Sequence, residues 1–102
     1  MSRVVVGQNP LFKDINHNLT LKPNIHSSVF VAPDSTIIGN VEIGSDSSIW
    51  YRTVLRGDNN YIKIGSRTNI QDGTIIHIDS KKFPTHIEND VTIGHGLSLI
   101  HI

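Results

Sequence analysis

The sequence predicts an all-β fold wound as a parallel β-helix, and three observations predict it. The composition favours strand, with sixteen Ile, eight Val and seven Thr against a single Ala (Ala32) and a single Met. β-Branched side chains suit a pleated, half-buried surface, whereas helices draw on Ala, Leu, Glu and Lys. Next, Ile25, Val31, Ile37, Ile43, Ile49 and Leu55 fall on a strict six-residue step. The step resumes at Ile64, Ile70 and Ile76, and again at Ile87, Ile93 and Leu99. Finally, a small or β-branched residue stands four positions after most of these: Val29, Ser35, Val41, Ser47, Thr53, Thr68, Thr74 and Val91. An ordinary β-sandwich would show a period of two with turns roughly every 8–12 residues, not a sustained six.

Each six-residue unit supplies one short strand and one corner. The aliphatic anchor fills the inside and the small residue lets the chain turn. Gly44, Gly65 and Gly94, directly after their anchors, are expected to relieve the corner backbone. Three units close one triangular turn of about 18 residues, so residues 19–102 predict about four coils, each stacked on its neighbours. Residues 1–18 read as a lead-in that caps the bottom coil, and 1–102 as a single domain. Two gaps in the step, Leu55 to Ile64 and Ile76 to Ile87, predict protruding loops near 56–61 and 79–85. Loops on a rigid scaffold often carry function.

Nine Lys and Arg balance nine Asp and Glu, which argues against a nucleic-acid partner. The absence of Cys excludes disulfides and thiolate chemistry. No apolar run approaches the roughly 18 residues of a membrane span, and the first residues lack a signal-peptide core. No membrane partner and a cytoplasmic location are therefore expected.

The six His point toward chemistry. His17 and His26 are expected at surface or corner positions. His77 directly follows the anchor Ile76, His95 lies two after Ile93, and His101 two after Leu99. One turn plus a five-residue insertion separates Ile76 from Leu99, so His77 and the 99–101 stretch share a wall one coil apart. Adjacent strands lie about 4.8 Å apart, which allows imidazoles on neighbouring coils to converge on one ion. Zinc held by three neutral imidazoles suits hydration or hydrolysis, because it generates hydroxide from bound water at neutral pH. Iron or cobalt accepts the same ligands. Spacing alone leaves open that the three His are simply exposed on a β-surface.

Leu55-Arg56-Gly57-Asp58, the stretch Ile64-Gly65-Ser66-Arg67-Thr68-Asn69-Ile70-Gln71-Asp72-Gly73-Thr74, His77, and Val91-Thr92-Ile93-Gly94-His95-Gly96 together resemble the γ-class carbonic anhydrase family. The resemblance covers about residues 10–97. It implies a left-handed, hexapeptide-repeat β-helix that assembles as a homotrimer, with a metal site at each subunit interface. It further implies His77 as a ligand, and His95 as one that reaches the site formed with the neighbouring subunit. Arg56 and Asp58 are similar to the family's interface ion pair, with Asp72 nearby. Gln71, supported by Asn69, is similar to the residue that hydrogen-bonds the metal-bound hydroxide. The implied reaction is reversible hydration of CO2 to bicarbonate.

Two departures from the family are expected to weaken that activity. The third ligand should follow an aliphatic anchor directly, but that position is Ile100 and histidine arrives at His101. Side chains alternate faces along a strand, so a slip of one residue turns the imidazole away. Family members also continue for further coils and a C-terminal helix, so the resemblance implies a truncated member. Asn59, after Asp58, cannot shuttle protons; Asp79 and His86 are candidates by location. An acyltransferase on the same coil, with acyl-CoA bound between subunits, and a non-catalytic scaffold or assembly subunit are the competing readings.

Overall fold

The computed structural model describes residues 3–5, 20–78 and 84–99. Among the described residues there are eleven strands: β1 (Arg3–Val5), β2 (Asn24–Ile25), β3 (Phe30–Val31), β4 (Thr36–Ile43), β5 (Ser48–Ile49), β6 (Val54–Ile64), β7 (Asn69–Ile70), β8 (Ile75–His77), β9 (Thr85–Ile87), β10 (Thr92–Ile93) and β11 (Ser98–Leu99). Every pairing among them is parallel. No described helix is long and apolar enough to cross a membrane.

The pairings define three walls of a prism. The first stacks β2, the end of β4, the end of β6 and β9. The second stacks β3, β5, β7 and β10. The third stacks β1, the start of β4, the start of β6, β8 and β11. Passing from Ile37 to Ile43 to Ile49 therefore visits the third, first and second walls in turn, as a β-helix requires. Among the described residues the first and second walls each carry four stacked strands and the third carries five.

The hexad anchors make the core. Ile37, Ile43, Ile49, Leu55, Ile64, Ile70, Ile76 and Ile87 are all buried, joined by Val41, Ile62 and Ile78, with Ile25, Val31 and Ile93 packed against them. One side chain per short strand faces inward, so burial repeats at the hexad period.

The small residues at the corners do more than make room. Ser47 Oγ donates to the Gly65 carbonyl at 2.7 Å, Thr68 Oγ1 to that of Glu88 at 2.7 Å, and Thr74 Oγ1 to that of Gly94 at 2.8 Å. Each buried hydroxyl thus ties its coil to the next and satisfies a carbonyl that the corner takes out of the ladder.

The reading of Gly44 and Gly65 is corrected. The left-handed corner positions are three residues after the anchors, at Asp46, Arg52, Arg67, Gly73, Asp90 and Gly96. Gly44 and Gly65 have no such backbone; they are needed for the close approach of successive rungs. A Cβ on Gly44 would stand 2.8 Å from the Gly65 carbonyl carbon, and one on Gly65 would stand 2.7 Å from the Asn89 nitrogen.

The loop expected near 56–61 is likewise not a loop. β6 stays a strand throughout, and its register against β4 shifts between the pairs Gly39–Gly57 and Val41–Ile62. The three extra residues are absorbed as a bulge, which keeps the backbone paired on either side. Most of the 79–85 loop, and residues 6–19 of the lead-in, lie outside the described residues.

One corner carries an ion pair on adjacent rungs. Arg67 Nε and Nη2 donate to Asp90 Oδ1 and Oδ2 at 2.7 and 3.1 Å. The hydrogen bond from Arg67, more than its charge, holds the Asp90 carboxyl below its ordinary value, and the same bond raises Arg67. A depressed carboxyl stabilises the fold above its unfolded pKa, and that contribution is lost as pH falls through its folded value. Asp90→Asn should therefore lower the urea midpoint slightly at neutral pH, with the difference shrinking away at acid pH as the Asp90 carboxylate is protonated. Equilibrium unfolding at both pH values checks this.

Candidate metal centre

Of the residues singled out for chemistry, Arg56, Asp58, Asn69, Gln71 and His77 fall on the second and third walls and Asp72 and His95 at the corner between these walls, whereas His86 is exposed on the first wall in β9 and Asp79 lies outside the described residues. On the third wall the register places Ile38, Arg56 and His77 one above another, beside a second column of Thr36, Val54 and Ile75. Ile38, Val54 and Ile75 make this outer surface partly apolar beside Arg56 and His77, and Ile75 is 43% exposed. His77 is half-buried there, and its Nδ1 is shut off from solvent with no hydrogen-bond partner among the described residues. Buried polar atoms are normally satisfied, so the single chain leaves this ring nitrogen, like the Thr85 hydroxyl, without the partner such atoms usually have. One rung below, Arg56 Nε pairs with Asp58 Oδ2 at 3.2 Å along β6. The two are two residues apart on one strand, which directs both side chains to the same face.

On the second wall Asn69 stands above Ser48 in the column before the anchors, and its Oδ1 accepts a hydrogen bond from Ser48 Oγ. Ser48 in turn accepts from Trp50 Nε1 at 2.9 Å. This relay fixes the Asn69 carboxamide. Trp50 is itself held against Phe30, with ring centroids 5.1 Å apart. Gln71, two residues beyond Asn69, faces outward from the same wall.

At the corner between the second and third walls, equivalent positions stack over successive coils. The Gly73 N–H donates to the Tyr51 carbonyl at 2.9 Å, and the Gly96 N–H to the Asp72 carbonyl at 2.8 Å. Tyr51, Asp72 and His95 thus occupy one corner column, and with Arg52 and Gln71 they line a shallow depression.

Gln71, Asp72 and His95 are therefore brought together. His77, Arg56 and Asp58 form a separate group on the third wall, and Asn69 lies with its relay on the second. Among the described residues, no three His, Asp or Glu side chains of one chain converge as metal ligands. His101 lies outside the described residues; the register below it pairs Leu99 with Ile76. Sequence reasoning missed Ser48, Trp50, Tyr51 and Arg52. Their signal was available, since Trp50 and Tyr51 hold the hexad positions of Gln71 and Asp72 one coil earlier.

Residues 22–57 match the family model described as bacterial transferase hexapeptide (six repeats). Among sequence relatives, Arabidopsis thaliana gamma carbonic anhydrase 2, mitochondrial, is 51% identical over 84 residues, covering 78% of this chain and 30% of the plant protein. The chain is similar to the gamma carbonic anhydrases and carries the hexapeptide repeat over residues 22–57. Among solved structures, a hexapeptide transferase family protein from Anaplasma phagocytophilum superposes with a TM-score of 0.75 at 45% identity, over 80% of this chain and 47% of its own. A Bacillus cereus protein provisionally named an acetyltransferase gives 0.76 at 46% identity, over 78% and 46%. The chain spans less than half the length of each of these three proteins.

Proposed function

We propose that the chain forms a γ-carbonic-anhydrase-type site, completed between copies of itself, that acts on CO2 and bicarbonate. The observation that carries this reading is the orphaned, buried Nδ1 of His77 on a partly apolar outer wall. A partly apolar wall with an unsatisfied imidazole suits a second protomer bringing further donors, and His95 projects from a corner where it can reach across to a neighbour. The donor set fits zinc, or iron or cobalt: neutral imidazoles that keep a coordination position open. A bound cation would supply Lewis-acid activation of water.

The chain's own residues would do the rest. His77 and His95 hold the ion from different protomers, and His101 is the candidate third ligand. Gln71 can donate an N–H and accept at its carbonyl at the same time, which orients a small oxygen nucleophile and its substrate. The Trp50–Ser48–Asn69 relay holds the neighbouring carboxamide in one orientation. Arg56 and Asp58 lie beside His77, where they would meet the partner protomer, with Asp72 contributed from the corner.

The test is zinc per chain by mass spectrometry, mass in solution by light scattering, and CO2 hydration by stopped flow. His77→Ala should reduce bound zinc and hydration to background while the circular-dichroism spectrum stays that of the parent. Equal zinc content and rate in both proteins would remove the reading. The solved relatives with transferase names favour a second reading, an acyl-CoA-dependent transferase, which acetyl-CoA binding by calorimetry would support.

A further inference from the structure

Arg52 and Arg67 stand at equivalent corner positions in left-handed backbone, with φ of 58° and 54°. This region is sterically costly for a side chain with a Cβ, and Arg lacks the local hydrogen bonding that makes Asp or Asn tolerant of it. Arg67 has an evident compensation, because its guanidinium is engaged twice by Asp90. Arg52 has none of that quality. Its Nε lies 3.7 Å from Asp34 Oδ2, beyond hydrogen-bond distance, and its side chain is 86% exposed. Asp34 is already occupied through Oδ1 by the Arg52 backbone N–H at 3.0 Å. The strained backbone therefore presents an open guanidinium fork at the rim of the depression that holds Gln71 and His95.

We propose that Arg52 is the anion-capture residue of this site, recognising a small planar monoanion of the carboxylate type, bicarbonate first. The choice of bicarbonate rests on the reading of the site given above. The fork matches two coplanar oxygens with two parallel N–H donors, and Gln71 can donate to the third. Asp34 and Asp72 offset part of the positive charge, so the affinity is low, with Kd on the order of 1–10 mM. Low affinity suits a group that must leave after each turnover.

The experiment uses the full chain, metal-free, with 15N-labelled arginine. Bicarbonate and its planar isostere formate are titrated, with chloride at matched ionic strength as the control, and the Arg52 Nε–H and His95 ring resonances are followed. Both planar anions should shift them saturably and chloride should not. Arg52→Gly and Arg52→Asn should weaken binding about tenfold or more, as expected for loss of a charge-assisted pair. Their unfolding midpoints should stay equal to the parent's or rise, since Gly and Asn accept left-handed backbone. A fall in midpoint with unchanged anion affinity would make Arg52 a structural residue and overturn the proposal, as would equal shifts with chloride. His77→Ala separates the two readings. If the parent binds no zinc and is inactive, yet both it and His77→Ala bind formate through Arg52, the metal reading fails and this one stands. If Arg52→Gly leaves both binding and the rate of an active zinc enzyme unchanged, the reverse holds.

Discussion

Replacing Ile70 by Ala should lower the free energy of unfolding by about 3–4 kcal/mol, the range for truncating a fully buried aliphatic side chain whose surroundings cannot close in. Ile70 has no exposed surface and lies on the second wall between Ile49 and Ile93. Its strand is held from both sides, since the Trp50 N–H donates to the Ile70 carbonyl at 2.9 Å and the Gln71 N–H to that of Ile93 at 3.1 Å. Rung spacing fixed by such bonds leaves the cavity open. The loss should also be felt as reduced cooperativity, because each coil is stabilised mainly by its neighbours and Ile70 joins the coils below to those above. Thr92→Ala is the control. Thr92 pairs with Asn69 on the same wall but faces solvent, and its loss should stay within about 0.5 kcal/mol. Urea unfolding followed by circular dichroism measures both, and equal losses would contradict the inward assignment of the hexad anchors.

The inward face of this fold was legible because a β-helix buries one side chain per short strand, so burial has the same period as the sequence. That is why the anchors from Ile37 to Ile87 could be named from their spacing alone. Interactions between coils were less legible. They join residues 18, 20, 21 or 23 positions apart, as in Ser47 to Gly65, Thr74 to Gly94, Ser45 to Ser66 and Arg67 to Asp90, because both the intervening gap and the partners' places in the hexad vary. In the sequence the hydroxyl ties at Ser47, Thr68 and Thr74 therefore do not stand out from other small corner residues. The extra residues after Leu55 read as a loop because spacing measures how many residues are inserted, not whether they remain paired; in β6 they do. At the site, the meeting of Gln71, Asp72 and His95 follows from the hexad, whereas the exposed fork of Arg52 depends on a backbone angle that no periodicity reports.

Gly65→Ala should cost about 3 kcal/mol, at the upper end of what one added methyl group does in a well-packed interior. The new Cβ would stand 2.7 Å from both the Asn89 nitrogen and the Glu88 carbonyl carbon. Both are main-chain atoms of the next coil, so no side-chain rotation relieves the clash. Nor can the coils part locally, since the Gly65 N–H donates to the Ile87 carbonyl at 2.8 Å and the Ser66 N–H to Asn89 Oδ1 at 2.8 Å. Separating the rungs would break these bonds and the Arg67–Asp90 pair beside them. Gly94 occupies the equivalent hexad position on the second wall one coil later, yet among the described residues a Cβ there would meet only the Leu97 Cδ1 at 3.8 Å. Gly94→Ala should therefore be neutral or stabilise slightly, because Ala restricts the unfolded chain more than Gly does. The pair of substitutions separates two roles for a glycine after an anchor. If conformational freedom were the requirement, both would destabilise alike; if the spacing of stacked rungs is the requirement, only Gly65→Ala will shift the urea midpoint markedly downward.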